Sequence, residues 1–173
     1  PFNNTVYVVD FDMKQAEIVV LTEGQSYKPE NVPLISMYNE YFGGGMSSVV
    51  FQDLRESKAL AYSCYSTYRA PRDLKASYYN FSYIGSQADK LPEALVGMNN
   101  LLNNMPKSEN GFNAAKEAIL QNIKTERINK ADILFNYLNA KKFNLSSDIR
   151  QDIYEKVSSM TFENIKSFQD SEI

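Results

Sequence analysis

Arg55 and Tyr62 stand seven residues apart, in a stretch from Tyr41 to Tyr62 that also holds Gly43, Gly44, Gly45, Ser47, Ser48, Ser57 and Lys58. Arginine offers a rigid fork of donors to carboxylate or carbonyl oxygens. Tyrosine offers one hydroxyl on a stiff ring. Together they could hold a peptide carbonyl or steady a developing oxyanion. A plainer arrangement fits the same residues: Arg55 paired with a nearby acid, and Tyr62 packed at a sheet edge. Both readings stand at this level.

The chain has no histidine. Cys64, the single cysteine, therefore has no imidazole to deprotonate it, and Ser47, Ser48 and Ser63 share the difficulty. Adjacent Ser57 and Lys58 define no nucleophile–base geometry. Without histidine, and with one cysteine, the usual zinc or iron donor sets are excluded, and no calcium-loop spacing occurs. The expected catalytic residues and metal ligands of this segment are none. Gly43 to Gly45 could turn backbone N–H groups toward an anion, but no lysine follows at the phosphate-loop spacing. A tight helix-to-helix turn, or a loop that lets a ligand backbone approach, fits better.

Strands are expected over Thr5 to Asp10 and Ala16 to Leu21, joined by a short polar link. Gly24 to Pro33 reads as irregular. Leu34, Met37, Tyr38 and Tyr41 recur at helical spacing and place a helix over Pro33 to Phe42, stopped by the glycines. A second helix is expected from Ser47 or Ser48 to about Ala59 or Leu60. It turns Val50 and Leu54, and with them Met46 and Phe51, to the core, and Gln52, Arg55, Glu56 and Lys58 to water. Two strands, Ala61 to Arg69 and Lys75 to Ile84, have a link too short for a parallel crossover, so they pair antiparallel. Helices then follow over Lys90 to Asn104 (cap Asp89), Glu109 to Asn129 (cap Ser108), Lys130 to Lys142 and Asp148 to Ser158, with a short last one capped by Thr161. The implied fold class is α/β, of the α+β two-layer kind: a mainly antiparallel sheet with helices on one face.

The 173 residues fit a single domain. A net charge of −3 gives no electrostatic reason to expect nucleic acid, and no apolar run is long enough for membrane insertion as a helix. The chain begins with Pro1 and reads as a segment excised from a longer protein, with a terminal strand of its sheet left behind. Its compartment stays open, bacterial periplasm and cytoplasm included.

The run Phe42-Gly43-Gly44-Gly45-Met46-Ser47-Ser48, with Phe51-Gln52-Asp53-Leu54-Arg55-Glu56 and Leu60-Ala61-Tyr62-Ser63, resembles the pitrilysin/insulinase family of zinc metallopeptidases, which includes the mitochondrial processing peptidase. Val8-Val9-Asp10, Gln15-Ala16-Glu17-Ile18, Asp89 to Leu95 and Ala115-Lys116 extend the likeness over almost the whole chain. The resemblance implies repeated α/β domains, two per half, closing around a peptide. It implies zinc in a first domain, held by a His-x-x-Glu-His motif and a distal glutamate. This segment resembles a second, non-zinc-binding domain of the C-terminal half, with no cofactor of its own. In the metal-free half of such proteins an Arg and a Tyr seven apart reach toward the substrate, and they map onto Arg55 and Tyr62. Gly43, Gly44 and Gly45 lie where the processing peptidase has a longer glycine-rich loop. Ala59 replaces a glycine common in the family, a change the expected helix would tolerate. The implied partners are a peptide substrate and either sibling domains or a zinc-bearing subunit. The alternative is a structural domain, like the respiratory-complex core subunits that resemble this family.

Overall fold

A computed structural model describes residues 4–73 and 75–173. Strand β1 (Gln15–Ser26), helix α1 (Val32–Phe42) and a π-helix (Phe51–Ser57) come first. Strands β2 (Ser63–Arg69) and β3 (Ser77–Gln87) follow. Helices α2 (Leu91–Asn103), α3 (Glu109–Thr125), α4 (Lys130–Lys142), α5 (Ile149–Ser159) and α6 (Phe162–Glu172) complete the chain. The three strands form an antiparallel sheet in the order β1-β3-β2. The helices lie over one face, with α1 and the π-helix against β2 and α2 against β3. The α+β architecture expected from the sequence is the one observed.

Aromatic rings join sheet to helices. Tyr38 and Phe42 of α1 stack at 5.1 Å, and Phe168 of α6 meets both Tyr38 and Tyr68 of β2 at 5.1 Å. A second group, Tyr41, Phe112 and Phe162, ties α1 to α3 and α6 through edge-on contacts. Such pairs contribute roughly 0.5–1.5 kcal/mol each beyond the area they bury. Gln169 of α6 donates to the carbonyls of Leu101 and Leu102 at 2.8 Å, satisfying acceptors that the end of α2 leaves open.

Several boundaries differ from expectation, each for a local reason. Thr5 to Asp10 forms no strand; Val6, Tyr7, Val8 and Val9 are 86–88% exposed. Strand-forming side chains express that preference only against a neighbouring strand, and no described strand pairs with Val6 to Val9. β1 runs past Leu21 to Ser26, because Gly24 is a contact point rather than a turn. A Cβ there would collide with the hydroxyl of Tyr68, and the Gln25 amide donates to that hydroxyl at 3.2 Å. The register of β1 against β3 shifts at this place, between Glu23 and Ser26. Helix α3 stops at Thr125, and Asn129 with Asp132 forms a capping box that starts α4. Ser108 caps α3 as expected, accepting from the Gly111 amide at 3.1 Å. Asp89 does not cap α2; it lies in a short 3-10 turn, and Lys90 occupies the cap position. Met46, expected in the core, is 76% exposed.

Candidate functional site

The stretch from Gly43 to Tyr62 connects the end of α1 to the start of β2. Gly43 is buried against β2: a Cβ there would collide with the Ser66 carbonyl oxygen and approach its amide nitrogen to 2.6 Å. The Gly43 carbonyl in turn accepts from the Ser66 amide at 3.3 Å. Four residues earlier, the Asn39 side chain accepts from the Tyr68 amide at 2.8 Å and donates to the Tyr68 carbonyl at 2.9 Å. The end of α1 thus acts as a substitute strand and closes the outer edge of β2. A Cβ at Gly44 would come within 2.8 Å of the Asn39 carbonyl oxygen, whereas one at Gly45 would meet nothing closer than 3.8 Å. Gly43 is a packing residue, and of the three glycines Gly45 has the most room.

The helix expected after the glycines is a π-helix over most of its length. The Lys58 amide donates to the Asp53 carbonyl, five residues back, at 3.0 Å, and the Lys58 ammonium pairs with the Asp53 carboxylate at 2.6 Å. This winding is rare and is found often at functional sites. It drives Leu54 into the core, where Gly97 of α2 makes room: a Cβ at Gly97 would lie 2.7 Å from Leu54. Arg55 is turned outward. Its guanidinium lies over the Phe51 ring at 4.7 Å and is 3.8 Å from the Glu56 carboxylate.

Ala59 is not in the helix. It has φ +50°, in the left-handed region that favours glycine, and its carbonyl accepts from Lys90 at 3.1 Å. The expectation that a helix would tolerate alanine here is corrected: the chain must reverse to enter β2. The left-handed conformation costs a non-glycine residue roughly 1–2 kcal/mol, partly offset by the greater unfolded-state freedom of glycine. Ala59→Gly is expected to stabilise the protein by about 1 kcal/mol, raising Tm by roughly 2–4 °C. A calorimetric scan with Tm unchanged or lowered would contradict this.

Tyr62 sits on the sheet face opposite the helices. Its amide donates to the Gly85 carbonyl at 3.0 Å, and its ring covers Gly85 closely enough that a Cβ there would be 2.7 Å from the ring. The strand registers lay out this outer face. Gly85 is flanked by Glu17 and Ser63, Tyr83 by Val19 and Tyr65, Phe81 by Leu21 and Thr67, and Tyr79 by Glu23 and Arg69. Tyr65 stacks on Phe81 at 5.9 Å and on Tyr83 at 5.3 Å, and Arg69 lies over Phe81 at 4.8 Å. Val19 and Leu21 are more than half exposed, and Tyr62 is 42% exposed. Burial and the negative charge of Glu17 raise the Tyr83 phenol above its usual range.

The opposite face buries small polar side chains beside the large Tyr68, Tyr78 and Ile84. Ser66, Asn80, Ser82 and Ser86 are buried there. Ser66 is 2.8 Å from the Ser82 hydroxyl, which also accepts from Asn80 at 3.0 Å. Ser86 donates to the Leu60 carbonyl at 2.6 Å. Small hydrogen-bonded side chains let the α1 terminus approach the strands closely; Tyr79, Phe81 and Tyr83 of β3 are left on the outer face, while Tyr78 is buried with Tyr68 on the helix side.

The model of the family described as the Peptidase M16 inactive domain matches residues 1–119. The chain belongs to that family. The inactive domain also aligns at 37% identity over 62 residues with the uncharacterized zinc protease YmxG of Bacillus subtilis (strain 168), covering 36% of this chain and 15% of YmxG. Its fold matches the peptidase M16 inactive domain from Pseudomonas fluorescens with a TM-score of 0.76 at 18% identity, over 94% of this chain and 39% of that one. It matches a protease from Helicobacter pylori with a TM-score of 0.73 at 14% identity, over 94% and 39% respectively. The chain thus spans well under half the length of these relatives.

Zinc does not fit this inactive domain. Among the described residues, no group of three or more His, Cys, Asp or Glu could hold a metal ion. Cys64 is buried with its sulfur 3.6 Å from the Val50 carbonyl. Burial pushes its thiol up to about 11, against a smaller opposing effect of the Arg55 charge, so it is protonated at neutral pH. No described helix is long and apolar enough to cross a membrane.

Sequence reasoning missed Tyr65, Phe81, Tyr83, Val19, Leu21 and Gly85 as parts of one surface. The available signal was Tyr79, Phe81 and Tyr83 at alternate positions with Asn80 and Ser82 between them. Alternation puts those rings on a common face without saying which face the helices cover.

Proposed function

We propose that the outer sheet face is a peptide-contacting wall of a zinc-dependent metalloendopeptidase whose zinc lies in another domain of a longer protein. The observation that carries this reading is the surface on which exposed Tyr62, Val19 and Leu21 surround the half-buried rings of Tyr65, Phe81 and Tyr83, and which no described helix covers. A contiguous apolar sheet face marks an interaction surface, and aromatic rings with hydroxyl tips suit a peptide of mixed polarity. Membership of a family described as inactive peptidase domains, and a zinc protease among the relatives, support the assignment of substrate contact rather than hydrolysis.

Arg55 and Tyr62 are the proposed contacts. The Arg55–Glu56 pair is long at 3.8 Å, and both side chains are about half exposed, so little energy holds Arg55 in place. It is free to exchange Glu56 for a peptide carbonyl or carboxylate. Gly45, the least constrained of the three glycines, is the loop position open to a passing chain. Turnover of peptide by the full-length protein with Arg55→Ala or Tyr62→Phe, zinc content intact, is the test. Turnover equal to wild type in both variants would overturn the reading, and would favour a structural role for the domain.

The sheet itself is proposed to be one strand short. α1 closes the outer edge of β2, but β1 is the opposite edge and, among the described residues, pairs with no strand other than β3. A long open edge with exposed Val19 and Leu21 is a template for pairing. A further strand of the longer protein would supply the partner. Amide exchange along β1 is then expected to be slow on both sides of the strand in the full-length protein. Fast exchange at every second β1 amide there would contradict a paired edge.

A further inference from the structure

One feature of the outer sheet face has no role in the function proposed above: a glycine inside β3, near its end. Gly85 lies in β3, paired on one side with Glu17 and on the other with Ser63. Glycine inside a strand is unfavourable unless another group must come close. Here that group is known. The three atoms nearest a Cβ at Gly85 are two ring carbons and the hydroxyl oxygen of Tyr62, at 2.7–2.8 Å. The Tyr62 amide is anchored to the Gly85 carbonyl at 3.0 Å, so backbone and ring are both held at one residue.

We propose that Gly85 is a positioning residue for Tyr62, its bare α-carbon forming the seat on which the hydroxyl end of the phenol ring rests at the outer face. The inference rests on the reading of Tyr62 as a peptide contact and deepens it. The seat explains how an exposed side chain on a short loop acquires a defined direction. A free tyrosine would lose two side-chain rotations on binding a peptide, whereas a seated one has already lost them. Tyr83 lies one outer-face position along β3 from Gly85, and Glu17 stands beside Gly85 on β1, so a tyrosine and a carboxylate flank the seat.

The experiment uses the full-length protein with Gly85→Ala, Tyr62→Ala and the double substitution, assayed for peptide turnover and for nitration of Tyr62 followed by mass spectrometry. Gly85→Ala is expected to lift the ring, increase nitration of Tyr62 and lower kcat by about tenfold, the scale of an ångström-sized misplacement. In the Tyr62→Ala background the added methyl has no ring to strike, so Gly85→Ala should cost nothing further in kcat or in Tm. An equal kcat loss in both backgrounds would overturn the inference, because Gly85 would then act independently of Tyr62. So would unchanged nitration in Gly85→Ala. If Tyr62→Ala leaves turnover intact while Gly85→Ala still raises nitration, the seat stands and the peptide-contact reading of Tyr62 fails. The two ideas are thus separated.

Discussion

Gly43→Ala is expected to destabilise the domain by about 3 kcal/mol, the upper part of the range for inserting a methyl group where there is no space. The clash is with backbone: the Ser66 carbonyl oxygen lies inside any tolerable contact and the Ser66 nitrogen is 2.6 Å away. Backbone cannot rotate aside as a side chain can. Relief requires moving the end of α1 away from β2. That would break the Ser66 amide bond to the Gly43 carbonyl and strain both Asn39 bonds to Tyr68. The buried Ser66, Asn80 and Ser82 beneath the helix would lose their close cover. For a domain of this size Tm should fall by roughly 6–12 °C. Gly45→Ala is the control: its Cβ would meet only the Glu40 side chain at 3.8 Å, so Tm should change little. Equal effects of the two substitutions in a thermal scan would show that Gly43 is not the packing point described.

Arg55→Ala and Tyr62→Phe should each lower kcat in the full-length protein by about 10²-fold if they donate to charge developing on the peptide, the usual cost of losing one such donor. An effect on KM alone would instead mean uniform binding of peptide and transition state. Neither side chain supports the fold heavily. Arg55 is exposed beside Phe51 and Glu56, and Tyr62→Phe keeps the ring that covers Gly85. Tm and bound zinc should therefore stay near wild type. Arg55→Lys should recover only part of the loss, because an ammonium cannot present the planar fork of a guanidinium. Wild-type kcat in both variants would remove them from the site.

Much of the layer order was legible. Helical spacing of Met37, Tyr38 and Tyr41 correctly placed α1 with those residues in the core. Ser108 announced the start of α3, and the short link before β3 required an antiparallel pair. These features depend on neighbours close in the chain. The π-winding after Val50 was not legible, since the residues that face core and solvent in one turn are nearly the same for both helix types. The strand expected over Thr5 to Asp10 failed because a strand is a property of a pair.

The sequence by itself determined the chemistry that is absent and the family motif that is present. Without histidine no imidazole can serve as a metal ligand or a base, and the run from Phe42 to Ser63 carries the peptidase resemblance. Only the tertiary structure decided what the individual residues of that run do. Gly43 is bare because Ser66 is there, and Ala59 is strained because β2 must begin in the reverse direction. Gly85, outside the run, is bare because Tyr62 lies on it. Alternation along β3 divides its side chains into two sets, but the tertiary contacts select Tyr78, Asn80, Ser82, Ile84 and Ser86 as the buried one. Those contacts join residues far apart in the chain, and they leave Tyr79, Phe81 and Tyr83 on the outer face.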